Sequence, residues 1–169
     1  SSDWTAYPFA TMNKKDFSNL LDVYLDSAFF PNLDSLDFAQ EGHRLEINDE
    51  SKLEIKGVVY NEMKGAMSSI PSQLWHGLSK YLYPNSTYQF NSGGNPENIL
   101  ELSHEELVNF HKKHYHPSNA TFFTFGDMNP EDIQEVVSRN VLKNFKPSLE
   151  KIEVRNETRI TSPIKRSDT

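Results

Sequence analysis

The spacing of hydrophobic positions along the chain predicts a series of helices. The first begins near Lys14, where apolar residues recur every three or four positions along one face and Asn13 is a suitable N-terminal cap. The last carries an apolar stripe made of Ile133, Val136, Val137 and Val141. Between them, helices are predicted at 36–40 (a short turn), 52–69, 72–83 and from the capping box at Ser103 up to Pro117, and Asn129–Pro130 opens the last one.

Strands are predicted at 5–12, at 43–47, where apolar and polar residues alternate, and at 120–125. Pro8 lies in the first of these and has no amide hydrogen, so its position must face a sheet edge or a gap. The order is therefore strand, helix, strand, a run of helices, strand and helix. From residue 147 the composition changes, and 162–169 is typical of a linker.

Composition and charge argue against several functions. The net charge is −7 and the 17 Lys and Arg residues are dispersed, whereas nucleic-acid binding needs a basic cluster. The absence of cysteine excludes disulfides and thiolate metal sites. No stretch approaches the roughly 18 apolar residues of a membrane span. A mean hydropathy of −0.66 suits a segment that packs against more protein.

Glu62 has an unusual place in the predicted helix 52–69. On a helical wheel it falls near the middle of an apolar arc, with Val58 and Val59 on the turn before it. The other members of the arc are Ile55, Met63, Ala66 and Ile70, and the opposite face holds Lys56, Tyr60, Asn61 and Lys64. The pattern therefore predicts that Glu62 is buried, or nearly so.

A carboxylate in an apolar stripe needs compensation from a basic partner, a helix N-terminus or a metal ion. By pattern alone, a buried ion pair or a position at the edge of the core is the simpler interpretation of Glu62. A metal ligand is the alternative.

Residues 57–65, with the sequence Gly-Val-Val-Tyr-Asn-Glu-Met-Lys-Gly, closely resemble a segment of the presequence proteases. These enzymes are a branch of the pitrilysin-type (inverzincin) zinc metallopeptidases. Further collinear matches lie at 2–8, 40–46, 92–94 and 114–119, so the likeness covers roughly 2–145.

The resemblance implies a metal-binding role for Glu62. In that family two histidines of an inverted His-x-x-Glu-His motif and a glutamate on a later helix hold zinc, and the motif's own glutamate activates water. Glu62 matches the third ligand. The chain lacks His-x-x-Glu-His, so no catalytic residue is assigned within it. We expect an internal segment that lacks the upstream motif and is inactive alone.

The family also implies a fold and a function. The fold is α+β: an α/β roll of the pitrilysin/insulinase type, with a mostly antiparallel sheet packed against helices. Residues 1–146 would be an incomplete first roll domain, and 147–169 a linker or the start of the next connection.

The implied function is that of a zinc metalloendopeptidase that degrades short unstructured peptides of the targeting-peptide class. The implied partners are such peptides and the remaining domains of the same polypeptide. The compartment would be the cytoplasm in a bacterium or the mitochondrial matrix in a eukaryote. The alternative is a non-catalytic, peptidase-like subunit that binds peptides or acts as a scaffold.

Other chemistry-bearing residues have simpler interpretations. His111, His114 and His116 could suggest a metal site, but histidines beside Leu107 and Phe110 on an apolar face are more often packed core residues. Gly93-Gly94 is interpreted as a turn because it lacks the phosphate-loop pattern. Trp4 and Trp75 are interpreted as core or domain-interface anchors. A salt bridge with Arg44 is favoured over a paired-carboxylate role for Glu41 and Glu46.

Overall fold

The computed structural model describes residues 1–165 and 167, and within them the fold is α+β. The β structure of these residues is one antiparallel hairpin, and the rest is helix and connecting loop. The α-helices are α1 (Lys14–Phe29), α2 (Ser35–Glu41), α3 (Val58–Ala66), α4 (Ile70–Leu82), α5 (Pro96–Ile99), α6 (His104–His114) and α7 (Pro130–Asn140). The strands are β1 (Arg44–Ile47) and β2 (Leu53–Lys56). Short 3-10 turns lie at Thr87–Gln89, Pro117–Asn119 and Leu142–Asn144.

Local capping signals fix the helix starts as expected. The Asn13 side chain accepts from the backbone amides of Lys15 and Asp16 at the start of α1. Ser103 and Glu106 form both halves of the capping box of α6. Asn129 caps α7, and the proline that follows it lies in the first turn. No helix among the described residues is long and apolar enough to cross a membrane.

The predicted helix 52–69 is wrong at its N-terminal end. Leu53–Lys56 is strand β2, which pairs antiparallel with β1 so that Leu45 faces Ile55. Glu46 lies between the Arg44 Nε, at 2.6 Å, and the Lys56 Nζ, at 3.1 Å, which confirms the predicted Arg44–Glu46 salt bridge. Gly57 ends the strand, and α3 begins only at Val58.

The strands predicted at 5–12 and 120–125 are also wrong. Both segments lack a ladder partner among the described residues, and Phe123 and Phe125 are 86% and 94% exposed. A sequence can favour an extended backbone, but a strand exists only when a neighbouring strand pairs with its backbone hydrogen-bonding groups. The larger sheet of a pitrilysin-type roll therefore stays a prediction.

Two clusters of buried residues hold the helices together. The first joins α1 to α7 and consists of Leu25, Ile133, Val137 and Val141, with Val136 packed against it. This arrangement confirms the predicted apolar stripe of α7. The second cluster joins α3 to α5 and consists of Tyr60, Met63 and Ile99.

Candidate metal ligand on helix α3

Glu62 lies in the second turn of α3 and is exposed to solvent. The expectation that it would be buried is wrong. Two members of the predicted apolar arc lie outside α3, since Ile55 belongs to strand β2 and Ile70 to α4, and two others, Val58 and Ala66, are exposed. With the helix starting at Val58, the buried side is formed by Tyr60 and Met63.

The exposed side of α3 carries Glu62 together with small and apolar neighbours. Val58, one turn before it, is 52% exposed, and Ala66, one turn after it, is also exposed. Within residues 1–165 and 167, the Glu62 carboxylate has no hydrogen bond and no ion pair. It lies beyond the first turn of α3, so the free amides of the helix N-terminus do not compensate it either. The contacts of the described residues therefore give no support to the ion-pair interpretation.

The chemistry of this donor fits one position of a zinc site. A carboxylate oxygen is a common zinc ligand, but structural and catalytic zinc sites use three or four protein ligands. The described residues contain no group of three or more His, Cys, Asp or Glu side chains that could hold a metal ion. Glu62 can therefore supply a single ligand, and further ligands would have to come from outside this part of the chain.

The histidines near the end of α6 make structural contacts, but they are half-buried and α6 has no buried residue, so their interpretation as core residues is wrong for the described chain. The His111 Nε2 lies 2.9 Å from the Ala28 carbonyl and must donate to it, because a carbonyl only accepts. The His114 ring stacks on Phe110 at 4.2 Å, and burial, with a smaller effect of the Lys113 charge, lowers the pKa of His114. The His116 Nδ1 accepts from a backbone amide.

The remaining sequence candidates are also placed by the structure. Gly93-Gly94 forms a turn, in which the Gly94 amide donates to the Asn91 carbonyl at 3.0 Å and Gly94 has a φ of 90°. Trp4 and Trp75 are 62% and 59% exposed, so their interpretation as core residues is wrong for the described chain. Their alternative role as domain-interface anchors stays a prediction.

Sequence reasoning missed an aromatic groove beside α4. The groove has a volume of about 570 Å³ and is lined in part by Trp75, Tyr83, Tyr88 and Phe90. The Tyr88 hydroxyl donates to Asp3, and this hydrogen bond lowers the pKa of the Asp3 carboxyl and raises the pKa of Tyr88. The signal in the sequence is the density of aromatic residues in 81–90, where the predicted helix 72–83 ends.

Comparison with known proteins gives consistent matches along the chain. A family model described as "Peptidase M16 inactive domain" matches residues 101–168. The mitochondrial presequence protease of Danio rerio is 49% identical over 149 residues, which is 86% of this chain and 15% of that protein. The corresponding protein of Drosophila melanogaster is 53% identical over 128 residues, 73% of this chain and 12% of that protein.

A bacterial relative gives a similar match. The protein HypA of Clostridium perfringens is 47% identical over 146 residues, which is 85% of this chain and 15% of that protein. The chain thus spans only about 15% of the length of the curated relatives that it matches.

Proposed function

The chain belongs to the presequence protease group of the pitrilysin-type peptidases, and on that premise we propose that it is a segment of a zinc metalloendopeptidase that supplies Glu62 as one zinc ligand. The observation that carries the proposal is the state of Glu62. Its carboxylate lies on a defined helix and is exposed and unpaired within the described residues. An unpaired oxygen donor on an ordered helix is free to bind a cation without first breaking an ion pair.

The chemistry of such a site divides between the metal and the chain. Zinc, when bound, would polarise a peptide carbonyl and lower the pKa of a bound water. Glu62 would hold one coordination position and offset part of the metal charge. Helix α3 would set where that carboxylate lies, because its buried face packs on Ile99. We propose short unstructured peptides as substrates, in line with the names of the relatives.

A non-catalytic role is the second candidate, and the description of the matching family model as an inactive domain favours it. That match covers 101–168 and therefore does not include α3. Under this alternative the chain would bind peptides or act as a scaffold, and the Glu62 carboxylate would have no metal to hold. The division into 1–146 and 147–169 remains part of the proposal, as does a compartment that is mitochondrial in a eukaryote and cytoplasmic in a bacterium.

Glu62→Gln in the full-length polypeptide that contains this segment tests the proposal. The amide keeps the size of the side chain but loses the charge that favours zinc. We expect the zinc content of the purified protein, measured by atomic absorption, to fall well below that of the wild type. Peptidase activity should fall with it.

Glu135→Gln is the matched control, because Glu135 is also an exposed glutamate in the middle of a helix and has no partner among the described residues. It should leave zinc content unchanged. Full zinc occupancy in Glu62→Gln would reject the assignment of Glu62 as a ligand.

A further inference from the structure

The backbones of Gly42 and Gly57 touch where the chain leaves α2 and enters α3. A Cβ atom on Gly57 would lie 2.7 Å from the Gly42 carbonyl carbon and 2.9 Å from the His43 Cα, and it would lie closer still to the Gly42 oxygen. Gly57 has a φ of 165°, an extended conformation open to any residue. The need for glycine therefore comes from proximity alone. The opposing atoms are backbone and cannot rotate away.

This contact lies directly at the start of α3. Gly57 is the N-cap residue of the helix, and its carbonyl accepts from the Asn61 amide at 3.0 Å. Asn61 immediately precedes Glu62 in the helix. On the other side of the contact, strand β1 begins two residues after Gly42. The hairpin, the end of α2 and the start of α3 are thus joined at one closely packed point.

A second glycine touches α3 on its buried face. A Cβ on Gly93 would lie 2.8 Å from the Met63 Cε, and it would lie closer still to the sulfur. Met63 follows Glu62 in the chain and is only 9% exposed. Its side chain also packs with Tyr60 and Ile99, which limits its freedom to move aside.

We propose that these two glycine contacts, Gly57 against Gly42 and Gly93 against Met63, position Glu62 for metal binding. The inference rests on the proposed function. Gly57 and Gly93 are positioning residues, since neither would touch the metal. Their role is to let the helix lie close enough to its neighbours for the carboxylate to reach one defined place.

The size of the displacement supports this role. A Cβ on Gly57 would have to move by more than about 1 Å to reach ordinary contact with the Gly42 carbonyl oxygen, which is its nearest neighbour. Glu62 is only about 7.5 Å further along the helix axis, so a shift at the N-cap carries to the carboxylate. Metal–ligand distances tolerate about 0.2 Å. A displacement of this size would therefore disturb coordination while the helix itself remained intact.

The test measures the zinc dissociation constant of the full-length polypeptide by competition with a chelator. Gly57→Ala should raise it at least about tenfold, the range found for residues that orient metal ligands. Gly77→Ala is the matched control, because a Cβ on Gly77, within α4, meets nothing within 4 Å among the described residues. It should bind zinc like the wild type. The folded fraction of each variant is measured by circular dichroism, and the constant refers to folded protein.

Gly93→Ala gives a second, milder perturbation, since the added methyl meets the end of a side chain. It should also raise the dissociation constant, and it covers the case in which Gly57→Ala does not fold. Wild-type zinc affinity in folded Gly57→Ala, or in folded Gly93→Ala, would overturn the inference even if the melting temperature had fallen. A purely structural role of the glycines predicts this combination of a lowered melting temperature and an unchanged zinc affinity.

Glu62→Gln in the same assay separates this inference from the proposed function. If Glu62→Gln weakens zinc binding and the glycine variants do not, the positioning role is wrong and the ligand assignment stands. If none of the variants weakens zinc binding, the ligand assignment is wrong as well, and the positioning role is lost with it.

Discussion

The substitution Val141→Ala in the first core cluster should lower the free energy of unfolding, by an amount that follows from the burial of the side chain. Val141 is 0% exposed and packs with Leu25, Ile133 and Val137 where α7 meets α1. Val141→Ala removes two buried methyl groups, worth about 0.8 kcal/mol each, and leaves a cavity between the helices. The expected loss in the free energy of unfolding is about 2–3 kcal/mol.

Urea denaturation followed by circular dichroism measures this loss. With a slope of about 2 kcal/mol per molar urea, the midpoint should fall by about 1 M or slightly more. Val23→Ala is the matched control: it is the same chemical change on α1, at a side chain that is 58% exposed. Its effect should stay within about 0.5 kcal/mol. Equal midpoints for the two variants would refute the assignment of Val141 to a packed core.

Two further predictions concern the β1–β2 hairpin and its turn. Ser51 has a φ of 59°, so Ser51→Gly should stabilise the chain by about 0.5–1 kcal/mol in the same assay. Ser138→Gly, inside α7, is the control and should instead destabilise the chain. If both substitutions changed the free energy of unfolding in the same direction, the turn conformation of Ser51 would be contradicted. Hydrogen bonds from Arg44 and, to a smaller extent, from Lys56 hold the pKa of Glu46 below its usual value. The ionised Glu46 therefore stabilises the fold at pH values above its unfolded-state pKa, and this stabilisation is lost as the pH falls through its folded-state pKa. Glu46→Gln should flatten this acid dependence of the urea midpoint, and parallel pH profiles for the two proteins would count against the pairing.

Much of the helical structure could be predicted because its signals are local. The caps at Asn13, Ser103 and Asn129 each need only a side chain and the amides two or three residues further on. The periodic stripe of α7 is likewise contained within the helix. None of these features depends on what lies elsewhere in the chain.

The errors arose where structure depends on a distant partner. Leu53–Lys56 alternates as a strand, yet it also extends the helical pattern that follows, and only pairing with β1 decides between the two. The face that α3 buries likewise depends on a distant partner, because Ile99 packs on the side that carries Tyr60 and Met63, whereas Val58 on the side of Glu62 is exposed. The signal that could have placed the boundary is Gly57, which stands between an alternating segment and a helical one.

The identity of the candidate site depended on resemblance rather than on pattern. Periodicity placed Glu62 on a buried face, where the structure does not place it. The residues around it, from Gly57 to Gly65, carried the match to the presequence proteases. A ligand of a metal site shared with other parts of a protein has no local signature of its own, because its remaining donors are distant in sequence.

Locating the metal is the most direct test of the claim that Glu62 is a zinc ligand. A crystal structure of the zinc-loaded full-length polypeptide, with anomalous data collected on both sides of the zinc absorption edge, gives its position. The account predicts a zinc peak about 2.0–2.2 Å from a Glu62 carboxylate oxygen, the usual distance for a carboxylate ligand. A fully occupied zinc bound by other residues, with the Glu62 carboxylate outside the coordination sphere, would contradict it.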